Sequence, residues 1–268
     1  MTLSDIPVVI LAGGRGTRLS EETTVVPKPM VSIGGKPILW HIMQCYAHYG
    51  FRHFIVCLGY KGYVIKEYFL DLLKHTSSLK INSATGAAEY LSGAQGDWDI
   101  SLIETGEHTL TGARLRAVRE HIEAPHFCLT YGDGLADIAL DQEWAYHLAH
   151  GKMGTVAAVH PPSRFGTLEL DGDGHVLSFQ EKEPLHHDFI NGGFFIFKRE
   201  FLDRLPADNH SLESEPLTRL ARDGQLCAFR HQGFWQCMDT LRDRETLEKI
   251  YESGRAPWVK SESHVSNL

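Results

Sequence analysis

Short apolar runs alternate with amphipathic stretches along the first half of the chain, and this alternation constrains the fold more than any other feature. Residues 8–12 form an apolar run that ends in Gly13-Gly14-Arg15-Gly16, and residues 38–49 carry apolar side chains at helical spacing. Two further pairs of a strand-like and a helix-like run follow, at residues 54–58 with 63–73 and at residues 127–130 with 142–148. This alternation predicts a Rossmann-like α/β fold, with a mixed, mostly parallel sheet and helices on both faces.

The second half of the chain predicts strands at shorter intervals. Strand-like runs occupy residues 155–159, 167–170, 176–179, 194–197 and 226–229, and helix-like runs lie near residues 200–205, 215–221 and 241–251. Asp171-Gly172-Asp173-Gly174 is typical of a hairpin turn, because the spaced ligands and closing glutamate of a calcium loop are missing.

Residues 74–96 predict an excursion at the sheet edge. We expect one domain over residues 1–258 and a polar tail over residues 259–268.

Composition excludes several classes of function. Apolar residues make up 43% and charged residues 22% of the 268 residues, which is typical of a compact globular protein. The net charge of −8 argues against a general surface for nucleic acid or anionic membranes, so an anion site has to be built locally. The five cysteines include no CxxC pair and predict reduced thiols. Since no export signal and no bilayer-length apolar run occur, we expect a cytoplasmic protein without membrane or nucleic-acid partners.

A loop rich in glycine and cations follows the first predicted strand. It comprises Leu11, Ala12, Gly13, Gly14, Arg15, Gly16, Thr17 and Arg18. Loops at the carboxyl edge of a parallel sheet open into a crevice, glycines let backbone N–H groups approach a phosphate, and Arg18 adds positive charge. The spelling lacks the third glycine of a dinucleotide fingerprint and does not match a P-loop. Taken alone, the segment is either a phosphate-binding loop of another type or a glycine turn with surface arginines.

A second cationic segment makes the pattern specific. Val26-Pro27-Lys28-Pro29-Met30 places a single lysine between two prolines. The combination of LAGGxGTRL with Pro-Lys-Pro-Met resembles the nucleotidyltransferases that activate sugar 1-phosphates, and residues 20–23, 33–41 and 59–69 are similar to their cytidylyl-transferring members. The likeness runs from residue 8 to about residue 258.

This resemblance implies a nucleotide-diphospho-sugar transferase fold, Mg²⁺ as the cofactor and a homo-oligomeric enzyme. The implied reaction joins CTP and α-D-glucose 1-phosphate to give CDP-glucose and pyrophosphate. The same chemistry with UTP or dTTP stays open, because the choice of base depends on residues outside the glycine loop. A catalytically silent relative that serves as a binding or regulatory subunit is a further alternative, against which the joint presence of Arg18, Lys28, Asp133 and Asp239 argues.

Two aspartates are candidates for binding the metal. Joining two polyanions requires a divalent cation to offset their repulsion, and Mg²⁺ prefers carboxylate oxygens. Asp133 ends a predicted strand between Gly132 and Gly134, which leaves room for a metal and phosphates. Asp239 is the matching carboxylate in the family pattern, but Asp239-Thr240 directly before a predicted helix also fits an N-cap. Both interpretations of Asp239 stay open at the level of sequence.

The resemblance also assigns residues to the two substrates. Nucleotide contacts fall on residues 11–18, Lys28, Thr109, Arg114 and Gly132. Arg114 equally fits the solvated face of an amphipathic helix.

Sugar-phosphate contacts fall on Glu181, Lys182, Asn191 and Gly192, with Lys182 on the phosphate. Lys182 would act with Arg18, Lys28, Asp133 and Asp239 in catalysis. Glu183 stands between Lys182 and Pro184, whereas in the family the proline follows the lysine directly. Zinc at the His147 and His150 pair is not expected, because no third ligand is recognisable.

Overall fold

The computed structural model describes residues 2–16, 19, 23–92, 97–161, 166–180 and 189–259. Its strands are β1 (Pro7–Leu11), β2 (Ser32–Ile33), β3 (Lys36–Pro37), β4 (His53–Leu58), β5 (Ser78–Ile81), β6 (Ala88–Ser92), β7 (Asp99–Glu104), β8 (His126–Tyr131), β9 (Gly134–Ala136), β10 (Gly154–Val159), β11 (Thr167–Leu170), β12 (Val176–Gln180), β13 (Ile190–Lys198), β14 (Leu226–Arg230) and β15 (Trp235–Cys237). Its α-helices are α1 (Ile38–His48), α2 (Gly62–Thr76), α3 (Thr111–Ala117), α4 (Leu140–His150), α5 (Glu215–Arg222) and α6 (Leu241–Glu252). Short 3₁₀ turns cover Leu3–Asp5, Lys28–Met30, Arg119–His121 and Arg199–Arg204. Over the described ranges, the helices are too short or too polar to cross a bilayer.

Within these residues, seven strands form one sheet in the order β14-β10-β13-β8-β1-β4-β7. β1 pairs in parallel with both β4 and β8, and β4–β7 and β10–β14 are parallel as well. β13 runs antiparallel to both of its neighbours, β10 and β8. The described part of the chain between β10 and β13 is the β11–β12 hairpin, and a return through a hairpin reverses the strand direction. The predicted mixed, mostly parallel sheet is confirmed.

β1 lies at the centre of the core because both of its faces are covered. Alternate residues of a strand point to opposite faces. Val8 and Ile10 pack in one apolar cluster with Ile42 of α1, whereas Val9 packs in another with Leu115 of α3. All five side chains are fully buried. Helices therefore cover both faces of the sheet, and the carboxyl end of β1 is fixed at the point where the glycine loop begins.

The main difference between the predicted and the observed strands lies at the edge of the sheet. β7 is not predicted by apolar periodicity, because its half-exposed residues mix charged, polar and apolar types. The excursion predicted at residues 74–96 contains, in its described part, the end of α2 and the β5–β6 hairpin, which precede this edge strand. The turn between β11 and β12 is confirmed: Asp171 Oδ1 accepts the N–H groups of Asp173 and His175 at 3.0 and 2.8 Å.

Histidines of α4 hydrogen bond to the sheet beneath the helix. His147 Nδ1 and His150 Nε2 each lie 2.8 Å from Thr155 Oγ1, and His147 Nε2 lies 3.0 Å from His126 Nδ1. Burial, and then the neighbouring His126 and His150, lower the pKa of His147 to about 3. His147 is therefore neutral in the folded protein at neutral and mildly acidic pH.

Stability should fall on mild acidification because of His147. The unfolded chain protonates this histidine below about pH 6.5 whereas the folded protein does not, so the stabilisation is complete above that pH and declines below it. Between pH 7.5 and pH 5 the loss from this one group is on the order of 2 kcal/mol. Urea unfolding at the two pH values should give a smaller loss for His147→Gln than for the wild type. Exposed His121, replaced by glutamine, serves as the control, and equal losses in all three proteins would contradict the prediction.

Candidate active site

Lys28, Asp133 and Asp239 meet at the carboxyl edge of the sheet. Lys28 Nζ lies 2.5 Å from Asp133 Oδ2 and 2.7 Å from Asp239 Oδ1. Lys28 opens a 3₁₀ turn in which Pro27 and Pro29 fix the backbone on both sides. The residue is only 9% exposed, so its ammonium group is held between two carboxylates rather than in water. We call this group the Lys28–Asp133–Asp239 triad.

Backbone pairing brings the two aspartates together. β1 and β8 are parallel neighbours, and the Gly132 N–H donates to the Leu11 carbonyl at 3.1 Å, so Asp133 lies level with the glycine loop. β9 pairs with β15, and the Met238 N–H donates to the Asp133 carbonyl at 2.9 Å. Asp239 is therefore held beside Asp133 by the ends of two strands.

Thr240 caps α6, and Asp239 does not. Thr240 Oγ1 accepts the Asp243 N–H at 3.2 Å, and Asp243 Oδ2 accepts the Thr240 N–H at 2.8 Å, which completes a capping box. The carboxylate of Asp239 pairs with Lys28 instead. The N-cap interpretation is thus correct for Thr240 and wrong for Asp239.

The charges of the triad fit a site for a further cation. Burial alone would lower the pKa of Lys28, but Asp133 and Asp239 outweigh it and raise the pKa, so the ammonium is charged at neutral pH. In the part of the chain that the structure describes, no group of three or more His, Cys, Asp or Glu side chains could hold a metal by itself. A hard divalent cation commonly takes one or two carboxylates and completes its shell with water and substrate phosphates. Asp133 and Asp239 fit a cation of that kind.

Two clefts meet at the triad. The first has a volume of about 340 Å³, and its lining includes the predicted nucleotide residues Leu11, Ala12, Gly13, Gly14, Gly16, Lys28, Thr109, Arg114 and Gly132. The second has a volume of about 620 Å³, and its lining includes Asn191, Gly192, Trp235 and Asp239. Both clefts share Gly16, Lys28, Tyr131, Asp133 and Glu213. A ligand in one cleft and a ligand in the other would therefore meet at Lys28 and Asp133.

Arg114 is buried beneath the first cleft, with 3% of its surface exposed. Its guanidinium donates to four carbonyls and one hydroxyl at 2.7 to 3.2 Å, from Gly13, Leu58, Gly106, Glu107 and Thr105. The alternative of a solvated helix face is therefore wrong for Arg114. The side chain joins the loop after β1, the end of β4 and the loop after β7 into one wall of the cleft.

The buried guanidinium explains why two positions are glycine. A Cβ atom on Gly13 would lie 2.1 Å from Arg114 Nη1, and one on Gly59 would lie 2.5 Å from the same atom. Gly13 is thus required by packing, a reason that the motif alone does not reveal. A Cβ atom on Gly14 would have no described atom within 4 Å, so Gly14 lies open towards the first cleft.

Arg15 and Thr109 have partners within the protein. Arg15 Nη2 lies 2.6 Å from Glu107 Oε1, and its guanidinium carbon lies 5.9 Å from the centre of the Tyr60 ring. Thr109 Oγ1 donates to the Thr105 carbonyl at 2.6 Å. Of the described residues that were predicted to bind the nucleotide, Arg15 does not line either cleft, whereas the others line the first cleft.

A bulge in β13 presents Asn191 to the second cleft. Gly193 and Phe194 have positive φ angles of 74° and 48°, which interrupt the pairing of β13 with β10. A Cβ atom on Gly192 would lie 2.6 Å from Val159 Cγ1, so only glycine fits this close approach of the two strands. Asn191 Nδ2 donates to the Tyr131 hydroxyl at 3.2 Å.

Four predicted site residues, Thr17, Arg18, Glu181 and Lys182, lie outside the described residues. The structure adds Tyr131, Glu213 and Trp235, which sequence reasoning missed. Tyr131 stands directly before Gly132-Asp133, and this position next to a predicted metal ligand could have identified it as a site residue. Trp235 lies close before Asp239 and donates its indole N–H to the Gly192 carbonyl at 2.8 Å. Glu213 follows no recognisable motif and reaches the site only through the fold.

Comparisons with known proteins identify the family of this chain. The family model described as Nucleotidyl transferase matches residues 7–243. Glucose-1-phosphate cytidylyltransferase of Salmonella typhi is 50% identical over 93% of this chain and 97% of its own length. A probable glucose-1-phosphate cytidylyltransferase of Bacillus subtilis strain 168 is 45% identical over 93% of this chain and 98% of its own length.

Solved structures agree on the fold. HddC from Yersinia pseudotuberculosis is 25% identical, with a TM-score of 0.67 over 92% of this chain and 99% of the other. A putative glucose-1-phosphate thymidylyltransferase from Bacillus anthracis is 14% identical, with a TM-score of 0.67 over 96% of this chain and 98% of the other, and supports the fold alone. The family model over residues 7–243 and the relatives at 50% and 45% identity show that the protein belongs to the nucleotidyl transferase family.

Proposed function

We propose that the protein transfers the cytidylyl group of CTP to α-D-glucose 1-phosphate and forms CDP-glucose and pyrophosphate. The observation that carries this proposal is the buried Lys28 held between Asp133 and Asp239 where two clefts meet. Two substrates that both carry phosphate need such a concentration of charge at their point of contact. The names of the Salmonella typhi and Bacillus subtilis relatives support the choice of CTP and glucose 1-phosphate.

The reaction is an in-line displacement at phosphorus. A phosphate oxygen of glucose 1-phosphate attacks the α-phosphorus of CTP, the bond from that phosphorus to the bridging oxygen of the β-phosphate breaks, and pyrophosphate leaves. A phosphate monoester has a second pKa of about 6, so the nucleophile is already anionic near neutral pH and needs no general base. The protein then contributes alignment of the two substrates and stabilisation of charge.

The residues of the triad have separate roles in this proposal. Asp133 and Asp239 would hold Mg²⁺, which when bound offsets the repulsion between the two polyanions. Lys28 and Arg18 neutralise charge on the triphosphate and on the departing pyrophosphate. Lys182 binds the phosphate of the incoming sugar, and Glu181, Asn191 and Gly192 meet the sugar.

The nucleotide lies in the first cleft in this proposal. The backbone of residues 11–18 and Gly132 approaches the phosphates and ribose of the nucleotide. Thr109 contacts the nucleobase. Arg114 acts by holding the walls of the cleft, since its donors are directed to carbonyls of the protein.

We further infer a homo-oligomer of single-domain subunits, residues 1–258, that acts in the cytoplasm. Relatives at 50% identity over nearly the whole chain support an active enzyme rather than a silent subunit. Lys28, Asp133 and Asp239 are all present and in contact, which argues in the same direction.

A panel of nucleotides tests the proposed function. Initial rates with CTP, UTP and dTTP, each with labelled glucose 1-phosphate and Mg²⁺, should give the highest kcat/KM for CTP, and chelation of the metal should abolish pyrophosphate release. A preference for UTP or dTTP would transfer the proposal to that base. No release with any of the three would favour the silent subunit.

Lys28 should compete with a metal ion for the two carboxylates. Lys28→Met removes the ammonium but keeps an apolar stem, so the protein without nucleotide should bind Mn²⁺ about tenfold or more tightly than the wild type. Turnover should nevertheless fall about a hundredfold or more, because a charged contact to the phosphates is lost.

Titration of Mn²⁺ by electron paramagnetic resonance measures the affinity directly, and circular dichroism verifies the fold. Exposed Lys152, replaced by methionine, should bind Mn²⁺ like the wild type. An unchanged or weaker Mn²⁺ affinity of Lys28→Met would contradict the competition.

A further inference from the structure

Glu213 is an acidic side chain in the lining of both clefts. It lies two residues before α5, is solvent-exposed, and shares the junction with Lys28 and Asp133. A carboxylate repels phosphate. No ion pair of Glu213 is formed with the described part of the chain, so its role at this junction has to come from its hydrogen bonds.

Hydroxyl groups from two walls of the site converge on this carboxylate. Tyr131 donates to Glu213 Oε1 at 2.7 Å, and Thr111 donates to Glu213 Oε2 at 2.6 Å. The Ser211 hydroxyl also donates to Oε2. Although the residue as a whole is exposed, partial desolvation of its carboxyl group would raise the pKa of Glu213, but these donors outweigh that effect and lower the pKa. At neutral pH Glu213 is therefore ionised and can only accept hydrogen bonds.

One arm of this network leads to the second cleft. Because the Tyr131 hydroxyl gives its proton to Glu213, its oxygen faces Asn191, whose Nδ2 donates to it at 3.2 Å. Asn191 Oδ1 in turn accepts the Gly193 N–H at 2.9 Å. The ionised carboxylate thus sets the direction of the whole chain of hydrogen bonds and the orientation of the Asn191 amide.

The other arm leads to the wall of the first cleft. Thr111 is the first residue of α3, the helix that carries Arg114. Its hydroxyl donates to Glu213 and accepts the Leu212 N–H at 2.9 Å. The start of α3 is thereby fixed to the loop that carries Glu213, and through Arg114 to the glycine loop.

We propose that Glu213 is a positioning residue that aligns the two substrates, through Tyr131 and Asn191 on the sugar-phosphate side and through Thr111 and α3 on the nucleotide side. This inference rests on the proposed two-substrate function. Alignment of two bound reactants contributes strongly to the rate of a bimolecular reaction, and one rigid acceptor shared by both clefts fixes their relative geometry.

Four single variants and their steady-state kinetics test the proposal. Tyr131→Phe removes one arm and should raise the KM for glucose 1-phosphate about tenfold, as expected for a lost hydrogen bond to a charged group, with less effect on the KM for CTP. Thr111→Val should raise the KM for CTP instead. Glu213→Gln should raise both KM values and lower kcat. Exposed Glu215, replaced by glutamine, is the matched control and should leave all three constants unchanged.

The double variant Glu213→Gln with Tyr131→Phe separates positioning from general stability. If Glu213 acts through Tyr131, the second substitution adds little to the KM for glucose 1-phosphate once the first is made. If the two substitutions raised the KM for glucose 1-phosphate independently, so that their effects multiplied, the proposal would be overturned. A lower melting temperature of Glu213→Gln with unchanged kinetic constants would also overturn it. A wild-type protein that forms no CDP-glucose would overturn the proposed function and this inference with it, whereas an active wild type with unaffected variants would overturn this inference alone.

Discussion

The ion pairs of Lys28 with Asp133 and Asp239 organise the structure around them. Two carboxylates at this separation from one ammonium would repel each other strongly without a cation between them. The three residues come from the 3₁₀ turn after the glycine loop, the turn between β8 and β9 and the segment after β15, so the triad joins distant parts of the chain. Its place at the carboxyl edge of the sheet follows from the parallel pairing of β1 with β8.

A second constraint acts from beneath the site. Arg114 is buried and needs acceptors for its N–H groups. It finds them in carbonyls of the loop after β1, the end of β4 and the loop after β7. Gly13 and Gly59 are glycine because the guanidinium occupies the space of a side chain. Part of the glycine motif therefore supports the wall of the cleft, while Gly14 remains open towards the cleft itself.

The sequence predicted the central sheet because strands buried on both faces are continuous apolar runs, as in β1 and β4. It also pointed to Lys28 through its place between two prolines and to Asp133 through its place at a strand end, whereas Asp239 was predicted only from the resemblance to the family. The edge strand β7 was missed because a half-exposed strand lacks that apolar signature. Glu213 and the packing role of Arg114 were missed because each depends on partners about a hundred positions away or in other loops, which local patterns do not encode.

The central claim is that Asp133 and Asp239 act as one unit in catalysis. A double-mutant cycle on kcat/KM with Asp133→Asn and Asp239→Asn tests it most directly, with the fold of each variant verified first. The account predicts that each single variant loses about a hundredfold or more in kcat/KM. The double variant should be hardly less active than the less active of the two single variants, because either change disables the same cation site. Losses that multiply in the double variant would contradict a shared role.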